Sequence, residues 1–214
     1  MQKQARYQAF IAHFAQQPAA TTELQYEVPF QLLIAVILSA QCTDKRVNMV
    51  TPSLFKAFPT PEHLANSVFE EVFPYIKSVS YPNNKTKYLL KMAKTLVEEF
   101  GGQVPEQVKD LQKLAGVGRK SAHVIASILY NMPTMAVDTH VMRVSKRLGL
   151  VDHKAKTPLA VEKQLVQYIP EHYIGKAHHW LILHGRYVCL ARKPKCEICQ
   201  LTSFCRYYEE HKPG

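Results

Sequence analysis

Lys120 stands in the stretch LAGVGRKSA (114–122), just behind two glycines set one residue apart. Only 8 of the 214 residues are glycine, so so close a pair needs a reason. The segments VPEQVKDLQKL, AGVG and RKSAHVIASILYN read as helix, tight turn and helix, over about 106–131. Gly116 and Gly118 give access to backbone conformations closed to residues with a Cβ, and they let another molecule approach the chain. The following helix brings its amide end and positive dipole to the same spot, which suits phosphate and reads no base sequence. A plain helix–helix turn with a glycine cap fits the same letters, but Arg119, Lys120 and the charge of the chain favour phosphate.

An ammonium group in the first turn of a helix is disfavoured by about 0.3–1 kcal/mol when exposed. Arg119 acts in the same direction, so the Lys120 amine is expected to give up its proton more readily than an ordinary lysine. A neutral lysine amine attacks carbonyl-like carbon and forms a Schiff base. A solvated lysine resting on phosphate is the other reading. Asp138, in AVDTHVMRV (136–144), is a candidate partner. The helix from Lys120 to Asn131 runs roughly 17 Å, and six extended residues, MPTMAV, return about 20 Å. Asp138 is thus expected beside Lys120, at the N-cap of the next helix. It can serve as a plain cap, as a carboxylate that activates a nucleophile and steadies a developing sugar cation, or as both.

A second group is Cys189, Cys196, Cys199 and Cys205, spaced C-x6-C-x2-C-x5-C. Four thiolates in so short a segment point to one metal centre, either structural zinc or an iron–sulfur cluster, and the compact spacing with a single C-x2-C unit favours the cluster. The intervening LARKPK displays Arg192, Lys193 and Lys195 as a basic finger suited to phosphate, or as a solvated loop. Cys42 lies far from these four, after the most apolar helix, and reads as a packed thiol.

These groups need a scaffold, and almost every segment reads as helix. VPFQLLIAVILSAQ (28–41) is apolar nearly all round and should be central and buried. Thr60-Pro61-Glu62 has the form of an N-cap followed by proline at the first helical position. NKTKYLLKMAKTLVEE (84–99) places apolar residues at helical spacing and meets Gly101-Gly102 as a stop. Further helices fit 106–114, 119–131, 139–148, 158–168 and 174–189, and no alternating strand pattern competes. The fold class is all-α, with 189–205 read as a small separate module docked on the helices. Hydrophobic content of 47% and charged content of 21% fit a globular chain with a real core. A formal charge of +10, from 27 basic and 17 acidic residues, favours a polyanionic partner, nucleic acid first and an anionic membrane surface second. The longest apolar run, LLIAVILSA (32–40), is too short to span a bilayer, and no signal-peptide pattern opens the chain. The expectation is a cytoplasmic, soluble protein that joins the nucleoid when bound to DNA.

In order along the chain, LSAQCTD (38–44), LAGVGRKSA, AVDTHVMRV, LHGRYVC (183–189) and the four-cysteine pattern closely resemble endonuclease III, a family of helix–hairpin–helix DNA glycosylases with abasic-site lyase activity. The similarity runs from about residue 28 to 206. It implies two all-α lobes, a six-helix barrel over 22–132 and a second lobe formed by 1–21 with 133–214, which carries a [4Fe–4S] cluster. It also implies a monomer acting on double-stranded DNA with damaged bases or abasic sites, the damaged nucleotide turned out of the helix. On this resemblance Lys120 is the nucleophile at the sugar, Asp138 its activating carboxylate, and oxidised pyrimidines the substrates. Gln41 matches the residue that fills the gap left by the flipped nucleotide. Tyr81 occupies the second filling position, where relatives often carry leucine, and a tyrosine can stack as a wedge. Ala115 replaces a proline usual in the hairpin. Two other readings stand beside this one. One is a mismatch glycosylase without lyase chemistry, from which Lys120 points away; the other is a non-enzymatic basic DNA-binding module with a zinc tail.

Overall fold

The computed structural model describes residues 1–17 and 21–211. Among these there is no strand. The helices are α1 (Lys3–Ala15), α2 (Pro29–Ser39), α3 (Asp44–Ala57), α4 (Pro61–Ala65), α5 (Phe69–Ile76), α6 (Pro82–Phe100), α7 (Val108–Leu111), α8 (Arg119–Tyr130), α9 (Thr139–Leu148), α10 (Pro158–Tyr168), α11 (Glu171–Tyr187) and α12 (Arg206–Glu210), with single 3-10 turns at Cys196–Ile198 and Thr202–Phe204. No helix of the described residues is long and apolar enough to cross a membrane. The chain divides into two compact units, Thr22–Asn131 and Met1–Thr21 with Met132–Gly214.

Local chemistry sets most boundaries. The Thr60 hydroxyl accepts from the His63 amide at 3.4 Å and Pro61 opens α4. Gly101 ends α6 in the left-handed region, at φ +58°. In the 22–131 unit, α2 buries every residue from Leu32 to Leu38 and packs against α3, α6 and α8. That surround is what a helix apolar on all sides requires. Each fully buried Leu or Ile contributes about 1.5–3 kcal/mol. α6 lays Leu89, Met92 and Leu96 into the same core.

The other unit is built on aromatic packing. Phe14 of α1 stacks on Trp180 of α11 at 5.5 Å between ring centroids, and Phe10 meets the same indole edge-on at 5.9 Å. The expectation of a separate cysteine module is corrected here. Leu201, Phe204 and Cys205 are buried in the same core as Phe10, Val144 and Leu181, so this segment is part of the unit's interior. Arg6 reinforces the join by reaching the Phe204 carbonyl and, at 2.8 Å, Glu209 of α12. Cys42 also departs from its reading as a packed thiol. α2 stops at Ser39, and Cys42 sits partly exposed in the following turn, its amide donating to the Ser39 carbonyl at 3.0 Å.

The two hairpin glycines serve different ends. Gly116 has φ +82°, and a Cβ there would meet Ile37 Cγ2 and Tyr88 Cβ, each at 3.1 Å. Its backbone disfavours a side chain, and its surroundings leave little room for one. Gly118 is the N-cap of α8 at φ −81°, ψ 176°, extended backbone that any residue adopts, and a Cβ there would meet nothing within 4 Å. The expectation that both glycines need a backbone closed to other residues therefore holds for Gly116 alone. Buried Leu111, Leu114 and Val117 pin the turn from within. Gly116→Ala is expected to destabilise the protein by about 1–3 kcal/mol, and Gly118→Ala to stay within about 0.5 kcal/mol of the parent. Urea denaturation of the two variants measures this, and equal losses would contradict the distinction.

Candidate functional site

α8 begins at Arg119, and no side chain caps that end. Gly118, Arg119 and Lys120 are all exposed there. The first turn of a helix carries amides without intrahelical acceptors and a partial positive charge, so an anion is favoured beside it. The open space beside Gly118 lets such an anion lie close to the backbone. Lys120 lies in that first turn.

Asp138 caps α9. Its Oδ1 accepts from the amides of His140 and Val141, both at 2.8 Å, and Oδ2 lies 3.3 Å from His140 Nδ1. The side chain is 16% exposed, so the carboxylate is fixed in orientation yet still reachable. Buried Met135, Ala136 and Val137 lead into it and hold the approach rigid. Lys120 belongs to the 22–131 unit and Asp138 to the other.

Gln41 and Tyr81 are exposed and share a rare conformation, with φ +54° and +55°. The left-handed region costs a non-glycine residue about 1–2 kcal/mol. Both strained positions are tied to one network. The Ser80 hydroxyl donates to the Gln41 carbonyl at 2.5 Å. The Lys85 ammonium donates to the carbonyls of Leu38 at 2.7 Å and Ala40 at 2.8 Å, with Ser80 Oγ at 3.5 Å. Sequence reasoning missed Lys85. The available signal was its register, since Lys85 lies on the buried stripe of α6 that continues through Leu89, Met92 and Leu96.

The basic loop is held by α9. Arg147 donates to the carbonyls of Leu190 at 2.6 Å and Ala191 at 3.0 Å, and lies 3.4 Å from Cys189 Sγ. Arg143 donates to the carbonyls of Cys189 at 3.1 Å and Gly185 at 2.8 Å. Arg192, Lys193 and Lys195 are thereby displayed to solvent on a fixed backbone, Lys193 at φ +49°. Neither arginine was assigned a role from sequence. Their partners lie 42–46 residues away, beyond any local pattern.

The four cysteines gather in one region. Burial raises the Cys196, Cys199 and Cys205 thiols above their ordinary values, and Cys189 adds to the rise in each. Such a set of mutually repelling, partly desolvated sulfurs is poorly suited to bare thiolates and well suited to a cationic iron core that takes up their charge. Cys205 Sγ lies 3.4 Å from the Arg147 carbonyl and Cys199 Sγ lies 3.7 Å from His184 Nε2. Burial, with a smaller contribution from His13, lowers His184 to about 4, so that ring is neutral near pH 7. Among the described residues no three His, Cys, Asp or Glu side chains draw together tightly enough to grip a single metal ion. A four-iron cluster is a larger group, and its identity here rests on the donor set and on the family match that follows.

Residues 34–171 match the HhH-GPD superfamily base excision DNA repair protein family, and residues 189–205 match the iron-sulfur binding domain of endonuclease III. The chain is 47% identical over 208 residues to endonuclease III of Rickettsia felis, covering 97% of each chain. It is 42% identical over 193 residues to endonuclease III of Escherichia coli strain K12, covering 90% of each. A solved structure of a trapped endonuclease III–DNA covalent intermediate superposes with a TM-score of 0.88 at 40% identity, covering 98% of both chains. A thermostable thymine-DNA glycosylase, at 22% identity and a TM-score of 0.81, shares the fold. The cofactor is accordingly a [4Fe–4S] cluster. With a superfamily match over most of its length and relatives this similar from end to end, the chain belongs to the endonuclease III family of HhH-GPD base excision DNA repair proteins.

Proposed function

We propose that Lys120 and Asp138 carry the chemistry of a bifunctional DNA glycosylase and abasic-site lyase, acting on oxidised pyrimidines in duplex DNA. The observation that carries the assignment is the placement of Lys120 in the exposed first turn of α8, directly behind a glycine with nothing beside it. The Lys120 amine, as the free base, bonds to C1′ of the damaged nucleotide's sugar. The glycosidic bond breaks, and its electron pair leaves with the base, which takes up a proton. The amine loses a proton as the sugar ring opens, and a Schiff base joins Nζ to C1′. Removal of a C2′ proton then expels the 3′ phosphate by breaking the C3′–O bond. Water hydrolyses the imine and frees Lys120.

Asp138 accepts the proton from the Lys120 ammonium and steadies the positive charge that develops on the sugar. Oδ1 is taken by the His140 and Val141 amides, which supports Oδ2 as the oxygen for that work. Gly118, Arg119, Arg192, Lys193 and Lys195 hold phosphates. Gln41 and Tyr81 fill the space the flipped nucleotide vacates, Gln41 by its amide and Tyr81 by stacking. Cys189, Cys196, Cys199 and Cys205 would hold the cluster, which when bound ties four points of the basic loop together and fixes its shape. The protein works in the cytoplasm, on the genome.

Lys120→Ala is expected to abolish borohydride trapping on DNA carrying an abasic site while leaving binding by gel shift within a few-fold of the parent. Persistent trapping would move the nucleophile to another amine. Asp138→Asn should slow single-turnover base removal by about 10²–10⁴-fold with little change in affinity, and a normal rate would leave Asp138 only its capping role. Affinity for duplex DNA should fall at least about tenfold between 50 and 200 mM salt. A flat salt response would contradict the phosphate contacts.

A further inference from the structure

Lys85 is buried, at 4% exposure, and is not among the residues proposed above for the chemistry. A buried ammonium ion is tolerated only when its N–H groups are paired. Among the described residues no acidic side chain is its partner. Its partners are the carbonyls of Leu38, in the last turn of α2, and of Ala40, the residue that caps α2, with the Ser80 hydroxyl. The carbonyl end of a helix is partly negative, so a cation there is favoured. A well-packed apolar residue would generally serve stability at least as well as a buried charge, so what this one adds is geometry.

That geometry is specific. Ala40 immediately precedes Gln41, and Ser80 immediately precedes Tyr81. Ser80 bridges the two turns by donating to the Gln41 carbonyl at 2.5 Å. Both Gln41 and Tyr81 stand in the left-handed region, which neither adopts without support. Lys85 itself sits one turn into α6, whose N-cap is Tyr81. One ammonium and one hydroxyl therefore span the two turns that carry the strained residues.

We propose that Lys85, with Ser80, is a positioning residue that holds Gln41 and Tyr81 together in the conformation from which they enter duplex DNA. This rests on the gap-filling roles proposed above for those two residues. Lys85 does not touch the substrate. Its effect is confined to the step that opens the duplex and is absent when there is no partner strand to leave behind.

The test uses the cluster-loaded protein and three measurements. These are single-turnover removal of an oxidised pyrimidine from duplex DNA, fluorescence of 2-aminopurine placed opposite the lesion, and cutting of a preformed abasic site in single-stranded DNA. Lys85→Met keeps the aliphatic stem and removes the donors. It is expected to slow duplex base removal at least tenfold and to diminish the 2-aminopurine change, with single-strand cutting within twofold of the parent. Ser80→Ala should show the same split to a smaller degree, and Ser80→Thr, which keeps the hydroxyl, should restore the parent behaviour. Should Lys85→Met fail to fold, the Ser80 pair decides alone. Equal losses on duplex and single strand would reduce Lys85 to a core residue, and no loss on either would overturn the proposal. The underlying reading is tested separately. If Gln41→Ala with Tyr81→Ala leaves duplex removal intact, the gap-filling roles fail. If that double variant is impaired while Lys85→Met and Ser80→Ala are normal, only the positioning role fails.

Discussion

Gly116, at φ +82°, packs so closely on Ile37 and Tyr88 that a methyl group there would make both give by a few tenths of an ångström. The organisation of the 22–131 unit follows from that contact. It seats the hairpin on α2 and α6, so the start of α8, and Lys120 with it, is fixed to the two helices that carry Gln41 and Tyr81. α6 serves three purposes along one face and its leading end. Tyr81 is its N-cap, Lys85 reaches the end of α2, and Tyr88 receives the hairpin. A side chain at position 116 would be strained by the positive φ and would crowd both helices at once.

The second unit uses α9 in a comparable way. Its first residue follows the Asp138 cap, and its later turns send Arg143 and Arg147 into the backbone of residues 185–191. One helix therefore sets the orientation of a carboxylate at one end and the shape of the basic loop further along. The hydrogen bonds from these arginines to carbonyls are charge-assisted and so among the stronger kind. The cysteine segment adds Leu201 and Phe204 to the unit's core. Burial of these residues and the arginine bonds to the loop backbone together support the display of Arg192, Lys193 and Lys195.

What was legible in the sequence was local. Thr60-Pro61, the glycine after α6 and the aspartate before α9 act on backbone groups within a few residues, and the letters alone convey them. The periodic apolar stripes gave an all-α fold for the same reason. The ordered motifs gave the family, because several weak patterns in sequence order are jointly specific. What was not legible depends on partners far along the chain. Lys85 meets carbonyls 45 and 47 residues upstream, and Arg147 meets carbonyls 43 and 44 residues downstream. The two hairpin glycines look alike as letters, yet one is required by the core and the other by nothing in the protein itself. α3 and α5 hold Pro52 and Pro74 within their spans, where local rules would break a helix and tertiary packing keeps it.

The account turns on which nitrogen bonds the sugar. Borohydride reduction of the complex with abasic DNA, followed by nuclease and protease digestion and mass spectrometry, locates the sugar remnant on a peptide. The account predicts a single modified site at Lys120, in the peptide that begins the α8 helix. A remnant on Lys85, on a lysine of the basic loop or on the N-terminal amine would contradict it.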